Sequence, residues 1–176
     1  MSQHRVAITG LGLVSPYGGD LPDFFERLLA GESAVHFLRT DDIPRPLTIP
    51  FVSCLNFDVD ATLGRPLAST MDRFAQLGTA AAFAAWADAG LSRGQPAEER
   101  ENWGVVWGTA LGGTLAYEKG YKELWQKGRE RVSPLSVILG MNNAANAHIS
   151  IQLGLGGVSM SHTVACASSA IAIGEA

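Results

Sequence analysis

The chain has 176 residues, of which 47% are hydrophobic and only 17% charged, and its formal net charge is −4. This length allows one sizeable core, and the low charged share indicates that the chain buries much of itself or covers an apolar face with a partner. The acidic balance argues against nucleic acid as the main partner, and no apolar run is long enough to predict a membrane span or a secretory signal, so we expect a cytoplasmic protein.

Strands and helices alternate from the start of the sequence. Residues 5–12 (RVAITGLG) form a β-branched, apolar run that ends in glycines, which predicts a buried strand entering a turn. Asp20 is the predicted N-cap of a helix that ends at Gly31. The apolar stripe of this helix would consist of Phe24, Leu28 and Leu29. Residues 32–50 show no clean periodicity, and residues 51–57 predict a strand in which Cys54 fills the core.

The second part of the chain continues the alternation. Residues 72–89 predict a long helix, and Gly90 follows as a C-terminal signal. Its predicted stripe consists of small and apolar residues at helical spacing: Phe74, Leu77, Gly78, Ala81, Ala82 and Ala85. The later predicted elements are a strand over 103–108, a polar helix over 115–127, an apolar and then Asn- and Ala-rich segment over 133–153, and a strand over 158–164 that enters an Ala/Ile helix. This order favours an α/β fold with a mainly parallel sheet. The last helix reaches Ala176 without a cap, so we expect further chain.

Cys166 is the most informative residue for chemistry, because it lies where a predicted strand passes into a helix. Free N–H groups and the helix dipole at such a place favour a thiolate, and backbone N–H groups there could stabilise an oxyanion formed on a thioester. Its neighbours in residues 164–169 (VACASS) are small, so a substrate carbonyl could reach the sulfur. From the residues alone, a small buried cysteine in an Ala-rich helix is an equal alternative.

No convincing acid or base for this cysteine follows from the sequence. His162 lies four residues before Cys166 on the same strand and could point away, whereas His4, His36 and His148 belong to other segments. No Cys-x-x-Cys or His-x-x-x-His spacing predicts a metal site or a disulfide framework. The glycines in residues 5–12 and 108–113 complete neither a phosphate-binding loop nor a dinucleotide fingerprint, so we expect close backbone packing there.

Asp72 and Arg73 are the one adjacent acid and base on the long predicted helix. Adjacent side chains on a helix point in different directions, so a shared acid–base role is not expected. We predict instead an ion pair with another element or a place at a subunit interface.

Several short motifs together resemble β-ketoacyl-[acyl-carrier-protein] synthases of the thiolase superfamily, and in particular those of the KAS II type. They follow in the family's order along the chain: residues 6–16 (VAITGLGLVSP), 71–76 (MDRFAQ), 108–113 (GTALGG), 131–134 (RVSP) and 165–169 (ACASS). The resemblance implies that residues 1–176 are the N-terminal half of a thiolase-like protein with a layered αβαβα architecture. The C-terminal half would be absent from this chain.

The resemblance also implies a reaction. Cys166 would take an acyl chain from acyl carrier protein, and the carbanion of a decarboxylated malonyl thioester would attack it in a Claisen condensation. In such enzymes two histidines and a lysine of the second half complete the site, so we expect the 176 residues alone to be inactive. The implied partners are acyl carrier protein and a second subunit, in a homodimer or a heterodimer, and no cofactor is implied.

Two further residues are assigned by their place in the matched motifs. Leu111, in GTALGG, resembles the position that lines the acyl pocket. Ser136 stands where many elongating members have an aromatic residue that closes the pocket, so serine predicts a longer or wider pocket unless neighbouring side chains fill the gap. Two alternative functions remain: a non-catalytic subunit resembling a chain-length factor, and a thiolase-type acyltransferase acting on coenzyme A thioesters.

Overall fold

The structure is a computed structural model that describes residues 5–37, 51–53, 56–94 and 100–176, with the backbone alone for 51–53. Its helices are α1 (Leu21–Leu29), α2 (Val59–Leu63), α3 (Arg65–Ala68), α4 (Arg73–Asp88), α5 (Thr114–Tyr121), α6 (Leu135–Gly140), α7 (Ala144–Leu153) and α8 (Ser168–Glu175). Its strands are β1 (Val35–Phe37), β2 (Phe51–Ser53), β3 (Val105–Gly108) and β4 (Ser159–His162). A π-helical turn (Lys122–Gln126) extends α5, and a 3₁₀ turn (Ala165–Ala167) precedes α8.

The parallel pair β3–β4 organises the second half of the chain. Val105 pairs with Ser159 at one end and Gly108 with His162 at the other. Because parallel strands need a long crossover, α5, α6 and α7 all lie between them in sequence. Both strands and the α/β order were predicted from the sequence.

The antiparallel pair β1–β2 was only half predicted. β2 begins the segment predicted as a strand, and Cys54, the predicted core filler in that segment, lies outside the described residues. β1 falls in the stretch predicted to be irregular, where it pairs with β2 through His36 and Val52. A strand of three residues is too short to show a period of two in the sequence.

The buried core lies mainly where α4 packs on α7, and α4 confirms the long helix predicted over residues 72–89. The fully buried residues of α4 are Ala75, Thr79, Ala80 and Phe83, and those of α7 include Ala145, Ile149 and Leu153. The stripe expected from the sequence, which included Phe74 and Leu77, is only partly buried. The small side chains of Ala75 on α4 and Ala145 on α7 are completely buried, which allows the two helix backbones to come close.

The predicted strand over residues 5–12 is wrong. This segment has no strand pairing with the described residues, and the side chains of Val6 and Ile8 are 86% and 79% exposed. It runs beside α4 instead, where the Leu11 N–H donates to the Asp88 carboxylate at 2.8 Å. A Cβ on Gly12 would lie 2.1 Å from the Ala81 carbonyl oxygen. β-branched residues form a strand only when a neighbouring strand supplies a ladder, and none of the described residues does so here.

The helix predicted after Asp20 is confirmed as α1. The Asp20 carboxylate accepts the Asp23 N–H at 2.8 Å, as an N-cap does, and the helix ends before Gly31, whose φ is +69°. Of its predicted apolar stripe, Phe24 is half-buried with its ring 6.3 Å from that of Tyr17, whereas Leu28 and Leu29 are exposed. Across the described ranges, no helix has the length and apolar character needed to cross a membrane.

The packing of α8 on β3 generates a test of the fold. A Cβ on Gly108 would lie 2.5 Å from the Ser168 carbonyl oxygen and 2.8 Å from the Ser169 nitrogen, and backbone atoms cannot move aside individually. Gly108→Ala should therefore lower the free energy of unfolding of the full-length protein by about 2–3 kcal/mol in urea titrations.

Gly174→Ala is the matched control for this substitution, because a Cβ on Gly174 of α8 meets no atom within 4 Å. It should be neutral or slightly stabilising, since alanine favours a helix over glycine. Equal losses for the two variants would contradict close packing at Gly108.

Candidate active site

Cys166 lies in a short turn between a strand and a helix, as predicted from the sequence. β4 ends at His162, the 3₁₀ turn Ala165–Ala167 contains the cysteine, and α8 begins two residues after it. The Cys166 thiol is free and its side chain is exposed. The alternative of a small buried cysteine therefore does not describe this residue in the structure.

The backbone immediately before Cys166 has an unusual conformation. Among the non-glycine residues that the structure describes, Ala165 alone has a positive φ, of +53°. This left-handed conformation costs a residue with a Cβ of order 1 kcal/mol, so the surrounding contacts must hold it. The reversal turns the chain sharply at the end of β4 and leaves the next side chain, that of Cys166, exposed.

The Ser168 hydroxyl supplies those contacts. Its Oγ accepts the Val164 N–H at 2.9 Å, and its one hydrogen points toward the carbonyl oxygens of Ala165 at 2.7 Å and Thr109 at 3.0 Å. The side chain is only 2% exposed, so these bonds are protected from water. Ser168 thus joins both sides of the turn around Cys166 to the residue that follows β3.

The role of Ser168 was not recognised from the sequence, in which it counted only as one of several small neighbours of Cys166. A signal for it does exist, because serine near the first turn of a helix often bonds to backbone groups. The sequence could not indicate that the second acceptor would be Thr109, which lies 59 positions earlier.

Free backbone N–H groups accompany the cysteine. The N–H groups of Ala165 and Cys166 open the helical segment and have no hydrogen-bond partner among the described residues, as is usual for the first residues of a helix. Such donors can stabilise negative charge on the sulfur or on an oxygen bonded to the carbon that it attacks.

The histidines that the structure describes make no hydrogen bond with Cys166. His148 Nε2 lies 3.1 Å from the Thr70 carbonyl oxygen, and His162 ends β4 with an Nε2 that is buried and without a partner in the described part of the chain. No hydrogen bond between either ring and Cys166 is present there. His36 is on β1, and His4 is outside the described residues. The ranges that are described contain no cluster of three or more His, Cys, Asp or Glu side chains suited to a metal ion.

Leu111 lies in the loop between β3 and α5, which the structure links to the turn of Cys166. Thr109 at the start of this loop accepts the Ser168 hydroxyl, and its own Oγ1 donates to the Leu111 carbonyl oxygen at 2.6 Å. The Leu111 side chain is 67% exposed. The structure therefore ties the backbone around Leu111 to the turn of Cys166.

Ser136 belongs to α6, which meets the same loop at its other end. The Gly113 N–H donates to the Gly140 carbonyl oxygen of α6 at 3.2 Å. Ser136 itself is half-buried and faces α5, where a Cβ on Gly120 would lie 4.0 Å from its Oγ. Small residues therefore stand opposite each other at this contact between α5 and α6.

The ion pair predicted for Asp72 is absent from the described residues. Its carboxylate is buried and accepts the Ala116 N–H of α5 at 2.6 Å, so its partner is a backbone group of another element. The Arg73 guanidinium instead lies 5.1 Å from the centre of the Phe57 ring. The adjacent acid and base thus have separate structural contacts.

Comparisons with known proteins agree on one family. Residues 3–176 match the model of the β-ketoacyl synthase N-terminal domain. The chain is 36% identical over 178 residues to 3-oxoacyl-[acyl-carrier-protein] synthase 2 of Staphylococcus aureus. The match covers the whole of this chain but only 42% of the length of that relative.

Solved structures share the fold. A β-ketoacyl synthase from Burkholderia phymatum superposes with a TM-score of 0.82 at 26% identity, over 99% of this chain and 43% of that one. A ketosynthase bound to a hexaketide, in complex with its type II PKS acyl-carrier protein, superposes with a TM-score of 0.77 at 20% identity, over 99% and 46%. These likenesses confirm the predicted thiolase-like α/β fold. The resemblance inferred from the motifs is likewise confirmed: the chain belongs to the β-ketoacyl synthase family and matches its N-terminal domain.

Proposed function

We propose that the protein containing this chain is a condensing enzyme of fatty-acid or polyketide-type synthesis, with Cys166 as its acyl-accepting nucleophile. The observation that carries the proposal is the exposed thiol of Cys166 on a strained turn at the start of a helix. A turn of this kind presents the sulfur to a substrate, and unpaired N–H groups beside it stabilise negative charge.

In the proposed reaction the Cys166 thiolate attacks the thioester carbonyl of an acyl carrier protein. The carbon–sulfur bond to the carrier breaks, the carrier leaves as its thiolate, and the acyl group stays on Cys166 as a new thioester. A malonyl thioester then loses carbon dioxide, and the resulting carbanion attacks the acyl carbon and releases the Cys166 thiolate. The histidines and lysine expected to assist this second step belong to sequence outside this chain.

The partners follow from the same proposal. Acyl carrier protein delivers both substrates on its phosphopantetheine, which is consistent with the similar ketosynthase that was solved together with its acyl-carrier protein. A homodimer in the cytoplasm is the expected assembly, and a heterodimer is the alternative. Exposed apolar side chains on α6, such as Val137 and Ile138, are compatible with a covered surface. We expect no cofactor.

The two alternative functions differ in the use of Cys166. A non-catalytic subunit resembling a chain-length factor would not need an exposed thiol held on a strained turn. A thiolase-type enzyme would use the thiol but would take acyl groups from coenzyme A. The 3-oxoacyl-[acyl-carrier-protein] synthase named above supports the carrier-protein branch.

The first prediction concerns the nucleophile. Incubation of the full-length enzyme with radiolabelled acyl carrier protein should label the protein, and Cys166→Ala should abolish the label because no other group at this turn can form the thioester. Cys54→Ala, which removes the only other cysteine of the chain, should keep it. Label that survives Cys166→Ala would contradict the assignment, and equal labelling by acyl coenzyme A would favour the thiolase-type alternative.

The second prediction concerns the turn. Ser168→Ala leaves the Val164 N–H unpaired, so it should lower the free energy of unfolding by about 1–3 kcal/mol. It should also slow acylation of Cys166 by about tenfold or more, because a small displacement of the sulfur from its reactive position raises the activation barrier. Stopped-flow labelling of the folded enzyme measures this rate.

Ser169→Ala is the matched control for the turn, since Ser169 is exposed and its hydroxyl makes no hydrogen bond to the described residues, in contrast to that of Ser168. It should acylate at the rate of the unchanged enzyme. Unaltered acylation in Ser168→Ala would show that the hydroxyl does not position the nucleophile.

The third prediction concerns pocket length. Leu111 and Ser136 are proposed to line the acyl pocket, and a phenyl ring at position 136 would fill space beside Gly120. Ser136→Phe should therefore shift the products of the full-length enzyme toward shorter chains, as read by mass spectrometry of the acyl carrier proteins. Ser136→Ala keeps the side chain small at the same position and should leave chain length unchanged. An unchanged distribution in Ser136→Phe counts against the pocket assignment.

A further inference from the structure

A carboxylate from α4 completes the first turn of α5. Asp72 is the N-cap residue of α4, yet its side chain makes no capping bond to that helix. Its Oδ2 accepts the Ala116 N–H at 2.6 Å instead. Ala116 is the third residue of α5, and this is a position whose N–H an N-cap side chain normally satisfies. The N-cap of α5 is Gly113, which has no side chain to do so.

Close packing explains why α5 does not carry its own cap. A Cβ on Gly113 would lie 2.0 Å from the Leu139 carbonyl oxygen and 2.9 Å from the Asp72 Cβ, so no larger residue fits there. Asp72 is only 8% exposed and packs against the same glycine. A buried carboxylate bonded to an N–H at a helix start gains from both the hydrogen bond and the helix dipole.

The loop of residues 109–113 is therefore held at both ends. Its start is fixed where the Thr109 carbonyl accepts the Ser168 hydroxyl. Its end is fixed by Asp72 at the first turn of α5 and by the Gly113 N–H bonded to the Gly140 carbonyl. Leu111 lies midway between the two anchors. Loss of the Asp72 carboxylate loosens the far end of the loop and leaves the end beside the turn of Cys166 intact.

We propose that Asp72 is a positioning residue that sets the place of Leu111 and thereby contributes to the selection of acyl chains. It acts through the first turn of α5 and touches no reacting atom. This inference rests on the proposed function, in which Leu111 lines the acyl pocket. It separates two properties of the enzyme: selection among acyl chains depends on Asp72, whereas the reactivity of the Cys166 thiol does not.

The test compares selectivity with thiol reactivity in the full-length enzyme carrying Asp72→Ala. The ratio of kcat/KM for a long and a short acyl-[acyl-carrier-protein] primer should change by about fivefold, as expected when one wall of a pocket moves slightly. The rate at which iodoacetamide alkylates Cys166 should stay within about twofold of the unchanged enzyme. Asp72→Asn keeps an oxygen acceptor at the same place and should restore most of the original ratio.

Phe83→Leu controls for a general loss of stability, because Phe83 is buried in the core on the same helix and the smaller side chain leaves a cavity. It should lower both kcat/KM values equally and leave their ratio unchanged. If Asp72→Ala yields no folded enzyme, Asp72→Ser, whose shorter side chain reaches Ala116 poorly, is measured in the same way.

Two results would overturn the inference. One is an unchanged ratio in an enzyme that still acylates Cys166. The other is a changed ratio that Asp72→Asn does not restore and that is accompanied by slower alkylation of Cys166, which would indicate general distortion of the site. Failure of the unchanged enzyme to acylate Cys166 at all would instead contradict the proposed function, so the two failures are distinguishable.

Discussion

The buried hydroxyl of Ser168 is the contact on which the arrangement of the site depends. One oxygen accepts the Val164 N–H, and its hydrogen is shared between the carbonyls of Ala165 and Thr109. These bonds offset the cost of the left-handed conformation of Ala165, together with the Ala167 N–H that donates to the Val164 carbonyl at 3.3 Å. The same turn carries the exposed Cys166 thiol.

The parallel pairing of β3 and β4 makes this contact possible. The register that places Gly108 opposite His162 brings the ends of both strands to the same edge of the sheet. The residues that follow them, Thr109 on one side and the turn of Cys166 on the other, are therefore neighbours. Gly108 allows α8 to begin directly on β3, because a side chain there would collide with the backbone of Ser168. The sheet thus sets the distance between Thr109 and the turn of Cys166, and the Ser168 hydroxyl fixes the orientation of that turn.

The sequence predicted the elements that show a clear local pattern. Asp20 before α1, the small residues of α4 and the strand-to-helix passage at Cys166 all appear in the structure where the pattern placed them. The strand over residues 5–12 failed because a β-branched run specifies a strand only if another strand pairs with it. The short β1 was missed because three residues carry too little pattern.

The parts of the site that could not be predicted are those made by contacts between distant residues. Cys166 was identified from its neighbours and from the family motif. The bond from Ser168 to Thr109 and the bond from Ala116 to Asp72 join residues 59 and 44 positions apart, and no spacing in a single sequence indicates them. The same reasoning applies to Asp72 and Arg73. Their charges suggested an ion pair with another element, whereas the buried Asp72 carboxylate accepts a backbone N–H of α5.

The cap that Asp72 supplies to α5 also has a consequence for folding. A helix with its own N-cap residue can form that capping bond from local sequence alone, whereas α5 acquires its cap only when α4 has docked beside it. The first turn of α5, and with it the final shape of the loop that bears Leu111, therefore depends on the docking of α4.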